Sequence, residues 1–188
     1  MSEKKFNPEK ADKLLTKERE EKIQPKALMD RLQISESDTI ADLGAGNGFF
    51  TLPLAKRTKE KVYAVDLEPQ MLDLLRQRVE EAQLKNVDYV VSDLENIDLK
   101  DDTADKLMVA FVIHEVGSIP QALSEMKRIM KKDAQVMFVE WEAVESESGP
   151  PLHHRIPSDE LMKILDQEGF SAKLISMDEV YAVHAKLK

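Results

Sequence analysis

The sequence predicts an α/β domain: a doubly wound, mainly parallel seven-stranded sheet that ends in a C-terminal antiparallel hairpin. Three observations lead to it. Residues 39–52 (TIADLGAGNGFFTL) read as a short buried strand, a glycine turn and a helix start. Beyond them, β-rich apolar runs alternate with stretches whose apolar residues recur at helical spacing. The two last strand-like runs, 171–176 and 181–186, are joined only by 177–180, too short for a crossover and therefore antiparallel.

The elements follow in order. Residues 1–35 are polar and highly charged and are expected to cap the domain formed by 36–188, as a lid over its binding cleft. Pro8 can open a helix there; 17–23 is charged all round; and 25–32 offers Ala27, Leu28, Met29 and Leu32 to a core. The first strand is 39–43 and its helix 49–57. A second strand at 61–66 precedes a helix at 69–83, with Met71, Leu72, Leu75, Val79 and Ala82 at helical spacing. Strands follow at 87–92 and from 106 to 111 or 112. A helix at 120–130 places Leu123, Met126, Ile129 and Met130 on one face, and 135–141 is apolar enough to be buried on both faces. Ser158 is placed to cap a helix at 159–168, and Gly169 to stop it.

Composition narrows the function. With 42% hydrophobic and 34% charged residues, the 188-residue chain is globular, with a core of useful size. No apolar run approaches the ~20 residues of a membrane span, and the N-terminus lacks the apolar stretch of a signal peptide. The absence of Cys removes disulfides, thiolate metal sites and a Cys nucleophile, so a cytoplasmic protein is expected. A net charge of −9 argues against nucleic acid as a partner.

Gly44, Gly46 and Gly48 are half of the six glycines in the chain. Glycine admits positive φ and lets another molecule approach the main chain, and a helix start just beyond offers unpaired N–H groups. The spacing is not that of a dinucleotide fingerprint, which would need glycine where Phe49 stands. No Lys-Ser/Thr pair follows, so it is no phosphate-binding loop of the Walker type. The second strand ends at Asp66, 18 residues past Gly48, near the spacing at which a carboxylate meets a ribose diol.

Asp-x-Gly-x-Gly-x-Gly over 42–48, followed by Asp66, Asp93 and a Leu-x-Glu-x-x-Arg-like run (Leu123, Glu125, Arg128), resembles the class I S-adenosylmethionine-dependent methyltransferases over about 35–145. More finely, the chain is similar to the small-molecule methyltransferases of the ubiquinone/menaquinone-biosynthesis-like group. The resemblance implies a Rossmann-like methyltransferase fold and S-adenosylmethionine as cofactor, with S-adenosylhomocysteine as product. It implies cofactor contacts from Asp42, Gly44, Ala45, Gly46, Gly48, Asp66, Leu67, Met71, Ser92, Asp93, Leu94, Ala110 and Phe111. Asp66 would take the ribose hydroxyls, Leu67 and Asp93 the adenine, and Ala110 and Phe111 the sulfonium end. The turn after the Leu-x-Glu-x-x-Arg helix departs from the family, because 131–134 (KKDA) contains no glycine.

On the acceptor side, His114 and Glu115 follow the fourth strand, and His114 is the candidate general base for a protonated acceptor. Trp141, Glu142, His153 and His154 are expected near the same cleft. Adjacent histidines without a His-x₃-His spacing do not make a chelate, so no metal is expected. The expected function is methyl transfer to a small-molecule acceptor by in-line displacement. Two alternatives stand beside it: a cofactor-binding protein of the same fold without catalysis, and a nicotinamide-dependent oxidoreductase. The sequence leaves monomer and homodimer equally open.

Overall fold

The computed structural model describes residues 15–188. The helix start expected at Pro8 lies outside them. Two short helices come first, α1 (Lys17–Ile23) and α2 (Pro25–Arg31). The remaining elements alternate: β1 (Ile40–Leu43), α3 (Thr51–Ala55), β2 (Val62–Asp66), α4 (Pro69–Glu81), β3 (Val87–Val91), β4 (Ala104–Ala110), α5 (Ile119–Ile129), β5 (Met130–Trp141), α6 (Ser158–Gln167), β6 (Phe170–Met177) and β7 (Val180–Leu187). The seven strands form one sheet in the order β3-β2-β1-β4-β5-β7-β6. All pairings are parallel except those of β7 with β5 and β6.

Strand periodicity divides the core into two layers. Ile40, Val62, Ala64, Met108, Met137 and Val139 face the layer that holds α2, α3 and α4. Ala41, Leu43, Val65, Leu107, Val109, Val136 and Phe138 face the layer of α5 and α6. The helices answer with their apolar stripes: Leu72, Leu75 and Val79 of α4 on one side, Ala122, Leu123, Met126 and Ile129 of α5 on the other. Each such fully buried aliphatic side chain contributes about 2 kcal/mol of transfer free energy. Ile23, Leu28, Met29 and Leu32 pack into the first layer, whereas Ala27, expected to be available to the core, is exposed. Among the described residues no helix is long and apolar enough to cross a membrane.

Three elements depart from the sequence reading. The helix α3 covers five residues rather than 49–57. Pro53 has no N–H to donate to the Phe49 carbonyl, so the helix begins late. The strand β5 begins at Met130, directly after α5, because Asp133 takes φ +66 and bends the chain where glycine is usual. Ser158 is the first residue of α6 rather than its cap; its N–H donates to Glu142 Oε1 (3.1 Å), so the residue just past β5 caps the helix. The Glu125–Arg128 pair ties down the connection before β4. Arg128 donates to Glu125 (3.0 and 2.7 Å) and to the carbonyls of Ile97 and Leu99 (both 2.7 Å), while Glu125 accepts from the Ile97 N–H (2.9 Å).

Candidate functional site

From β1 the sheet runs outward in two directions, through β2 and β3 on one side and β4 and β5 on the other. The crevice outside the carboxyl ends of β1 and β4 is the point where such sheets bind ligands. The loop that leaves β1 takes φ +74 at Gly44, +53 at Gly46 and +92 at Gly48, which only glycine adopts without strain. Two of the three glycines make room for the protein itself. A Cβ on Gly44 would lie 2.6 Å from Val112, and one on Gly48 would strike Leu75 and Leu52. The Gly44 and Ala45 N–H groups both donate to the Val65 carbonyl (2.8 and 3.0 Å), and Arg78 of α4 donates to the Asn47 carbonyl.

Asp66 stands at the end of β2 and ties itself to this loop. Its Oδ2 accepts from the Gly46 N–H (2.7 Å) and its Oδ1 from the Glu68 N–H (2.9 Å). Burial raises its pKa above the ordinary carboxylate value, and the two N–H groups work against that rise. Asp42 is buried beneath the loop, where Thr51 Oγ1 donates to its Oδ2 (2.5 Å). Burial pushes its pKa up to about 7, and the charge of Asp66 adds to the rise.

The remaining residues expected on this side have distinct surroundings. Leu67 is 42% exposed beside Asp66, whereas Met71 and Leu94 are buried and Ala45 packs in the core layer of α3. Ser92 holds its own turn: Oγ donates to the Asn96 carbonyl (2.8 Å) and accepts from the Asp98 N–H (2.9 Å). Asp93 is exposed and accepts from the Glu95 N–H (2.9 Å).

Past β4 the lining changes to aromatic and imidazole groups. Ala110 is half-buried, and Phe111 adopts φ +57, an uncommon backbone state of the kind that clusters at ligand sites. The Phe111 ring lies 5.3 Å from that of Trp141 at the end of β5. Above them lies Arg19 of α1, its guanidinium carbon 4.5 Å from the Phe111 centroid, 5.5 Å from Phe49 and 6.0 Å from Trp141. Thr16 caps α1 by accepting from the Arg19 N–H (3.3 Å), which fixes where that residue starts.

His114 and Glu140 form a buried pair between β4 and β5. The Nδ1 atom is 2.9 and 3.0 Å from the two Glu140 oxygens, and one of these also accepts from the Trp141 N–H (3.2 Å). A carboxylate that accepts at Nδ1 makes Nδ1 the donor of this pair and orients Nε2 away from Glu140. Glu115 Oε1 lies 3.9 Å from Nε2. Glu142, expected near the cleft, accepts from the Ala143 and Ser158 N–H groups. His153 and His154 sit on a 3₁₀ turn (Leu152–His154) in the β5–α6 loop, their rings 4.2 Å apart. Arg155 gathers that loop. It donates to the carbonyls of Pro150 (2.9 Å), Glu142 (3.3 Å), Val144 (2.7 Å) and Ser148 (2.8 Å) and to Ser146 Oγ (2.8 Å).

Four residues of the site escaped the sequence reading: Arg19, Phe49, Thr51 and Glu140. Only Glu140 carried a signal, as the lone charge within the apolar run 136–141. Arg19 is hidden in a stretch where charges occur on every side.

The donor set fits a sulfonium nucleoside. Carboxylates stand at two adjacent strand ends, an exposed leucine lies beside the second, and 44–48 contains no basic side chain. Residues 41–138 match the methyltransferase domain family. The chain is 36% identical to the biotin biosynthesis bifunctional protein BioHC of Cellvibrio japonicus over 49% of its length and 17% of that protein's. It is 30% identical to the ubiquinone/menaquinone biosynthesis C-methyltransferase UbiE of Hydrogenovibrio crunogenus over 59% of its length and 45% of that protein's. The chain thus spans less than half the length of these curated relatives. A crystal structure of a SAM-dependent methyltransferase from Aquifex aeolicus superposes with a TM-score of 0.92 at 30% identity, covering 98% of this chain and 100% of that one. These matches set the nicotinamide reading aside: the chain belongs to the S-adenosylmethionine-dependent methyltransferase family, and S-adenosylmethionine is its cofactor.

Proposed function

We propose that the protein methylates a small-molecule acceptor by in-line displacement, with the cofactor held over β1–β3 and the acceptor over β4–β5. The observation that carries this is the change of lining across the switch point, from carboxylates at Asp42 and Asp66 to the Phe111 and Trp141 rings. Asp66 accepts from the ribose hydroxyls through lone pairs beyond those engaged by Gly46 and Glu68. Leu67 offers an apolar surface to the base, and Asp93 an acceptor at its edge. The cofactor supplies an electrophilic methyl group whose departure turns a sulfonium into a neutral thioether. The chain's contribution is alignment and the exclusion of water. The helix α1 covers the acceptor half through Arg19. Where the acceptor is protonated, His114 Nε2 takes its proton, and Glu140 stabilises the resulting imidazolium. The UbiE likeness and the net charge of −9 favour a small molecule over nucleic acid.

The test has two parts. Calorimetry should show micromolar binding of S-adenosylhomocysteine and none of NAD. A panel of small phenols, carboxylic acids and amines, followed by mass spectrometry, should yield a methylated product. Cofactor binding with no product from any class would favour the non-catalytic alternative.

A further inference from the structure

Three cations crowd the rim of Trp141, and they are not equivalent. Lys22 Nζ lies 5.8 Å from the indole centroid and is paired with Glu179 (2.6 Å) and Ser148 Oγ (3.0 Å). Arg155 lies 5.7 Å from it and is saturated by the oxygens of its own loop. Arg19 meets only rings among the described residues: Phe111, Phe49 and Trp141. Its Nε is buried without a hydrogen-bond partner. Aromatic faces offset part of the desolvation of a guanidinium, but they leave its N–H donors unanswered, and buried donors without acceptors are costly. Burial lowers its pKa to about 10, so the group stays charged at neutral pH.

We propose that Arg19 anchors a carboxylate, or a similarly planar oxyanion, on an acceptor whose apolar body lies against Phe111 and Trp141. The proposal rests on the methyl-transfer reading and names its substrate class. Placement favours the acceptor as the source of the anion. Two of the three rings, Phe111 just past β4 and Trp141 at the end of β5, lie across β1 from Asp66 and Asp93; the third, Phe49, follows the β1 glycine loop, which makes the cofactor's own carboxylate the rival that the test must separate. Charge favours it too. S-adenosylmethionine carries one carboxylate against a sulfonium and an ammonium, so beside the Arg19 guanidinium the crevice holds an excess of positive charge that an anionic acceptor relieves. The planar fork of Arg suits bidentate capture of a carboxylate, which Lys matches only in part.

The probes are 4-hydroxybenzoate and its neutral counterpart 4-hydroxybenzamide, titrated calorimetrically into protein saturated with S-adenosylhomocysteine. The proteins are the parent, Arg19→Lys and Arg19→Gln, each shown to be folded by its unfolding transition. The parent should bind the benzoate at least about tenfold more tightly than the benzamide. Arg19→Gln should erase that preference with no change in S-adenosylhomocysteine affinity, and Arg19→Lys should keep part of it. No preference in the parent, or a preference that survives Arg19→Gln, overturns the assignment. So does an Arg19→Gln variant that loses S-adenosylhomocysteine itself, because Arg19 would then hold the cofactor's carboxylate. Failure of the parent to bind S-adenosylhomocysteine would sink the methyl-transfer reading instead.

Discussion

Across β1 the crevice changes character. On the β1–β3 side, the carboxylates are held by groups no more than 20 residues away in sequence: Asp42 by Thr51, Asp66 by Gly46 and Glu68, Asp93 by Glu95. On the β4–β5 side, Phe111, Trp141, His114 and Glu140, with Arg19 of α1 reaching over from Phe49 of the β1 loop, meet only because the sheet and α1 bring distant segments together. A half that recognises one invariant ligand can be encoded as a local motif. A half that recognises a variable ligand is assembled by long-range packing, where single substitutions change the lining without disturbing the loop.

The largest effect expected concerns Asp42 and would show how strained the local half is. Its pKa rises from the ordinary value of about 3.9 to about 7 in the fold. Between those values the unfolded chain sheds a proton that the folded chain keeps, so stability falls as pH rises from about 4 to about 7 and levels off above. Asp42→Asn should remove that loss, gaining up to about 4 kcal/mol on the parent across the same window. Parallel urea-unfolding profiles for the two proteins at pH 4.5 and 8 would show Asp42 to be ionised in the fold.

The next effects separate the halves. His114→Asn should slow transfer to a phenolic acceptor about 100-fold and leave S-adenosylhomocysteine affinity untouched. Full turnover in that variant would make His114 a structural residue. Asp66→Ala should do the reverse, costing about 2 kcal/mol of cofactor affinity, roughly 30-fold, by leaving the ribose hydroxyls unpaired. Equal binding by calorimetry would remove Asp66 from the sugar. The smallest effect sharpens the pairing of His114. Glu140→Gln keeps an acceptor for Nδ1 but loses the charge that stabilises an imidazolium. Turnover should fall about tenfold, with the acid limb of its pH profile displaced to lower pH. An unmoved acid limb would confine Glu140 to holding the ring in place.

Most of the fold was legible because strand and helix leave different periodicities and the hairpin allows one pairing. The misjudged boundaries have single-residue causes: Pro53 withholds an N–H from α3, and Asp133 accepts positive φ and so lets β5 start at Met130. The local half of the site was legible for the reason that it is local: the glycines and Asp66 lie a fixed distance apart. Even there, the reason given for Gly44 and Gly48 was incomplete, since both also clear space for the side chains of Val112, Leu75 and Leu52. The assembled half was legible only where it follows a strand end, at Phe111, His114 and Trp141. Arg19 shows no pattern that distinguishes it from its charged neighbours, and its setting exists only after α1 has packed over Phe111.

The wiring of Arg155 bears on how such a crevice diversifies. Every oxygen it collects belongs to residues 142–150, so the segment between β5 and α6 is fastened chiefly to itself. A segment closed in this way is a unit of exchange. Its tip can be lengthened or rewritten while the clasp and the strand behind it stay in register, and relatives can diverge in what they methylate without renegotiating the sheet.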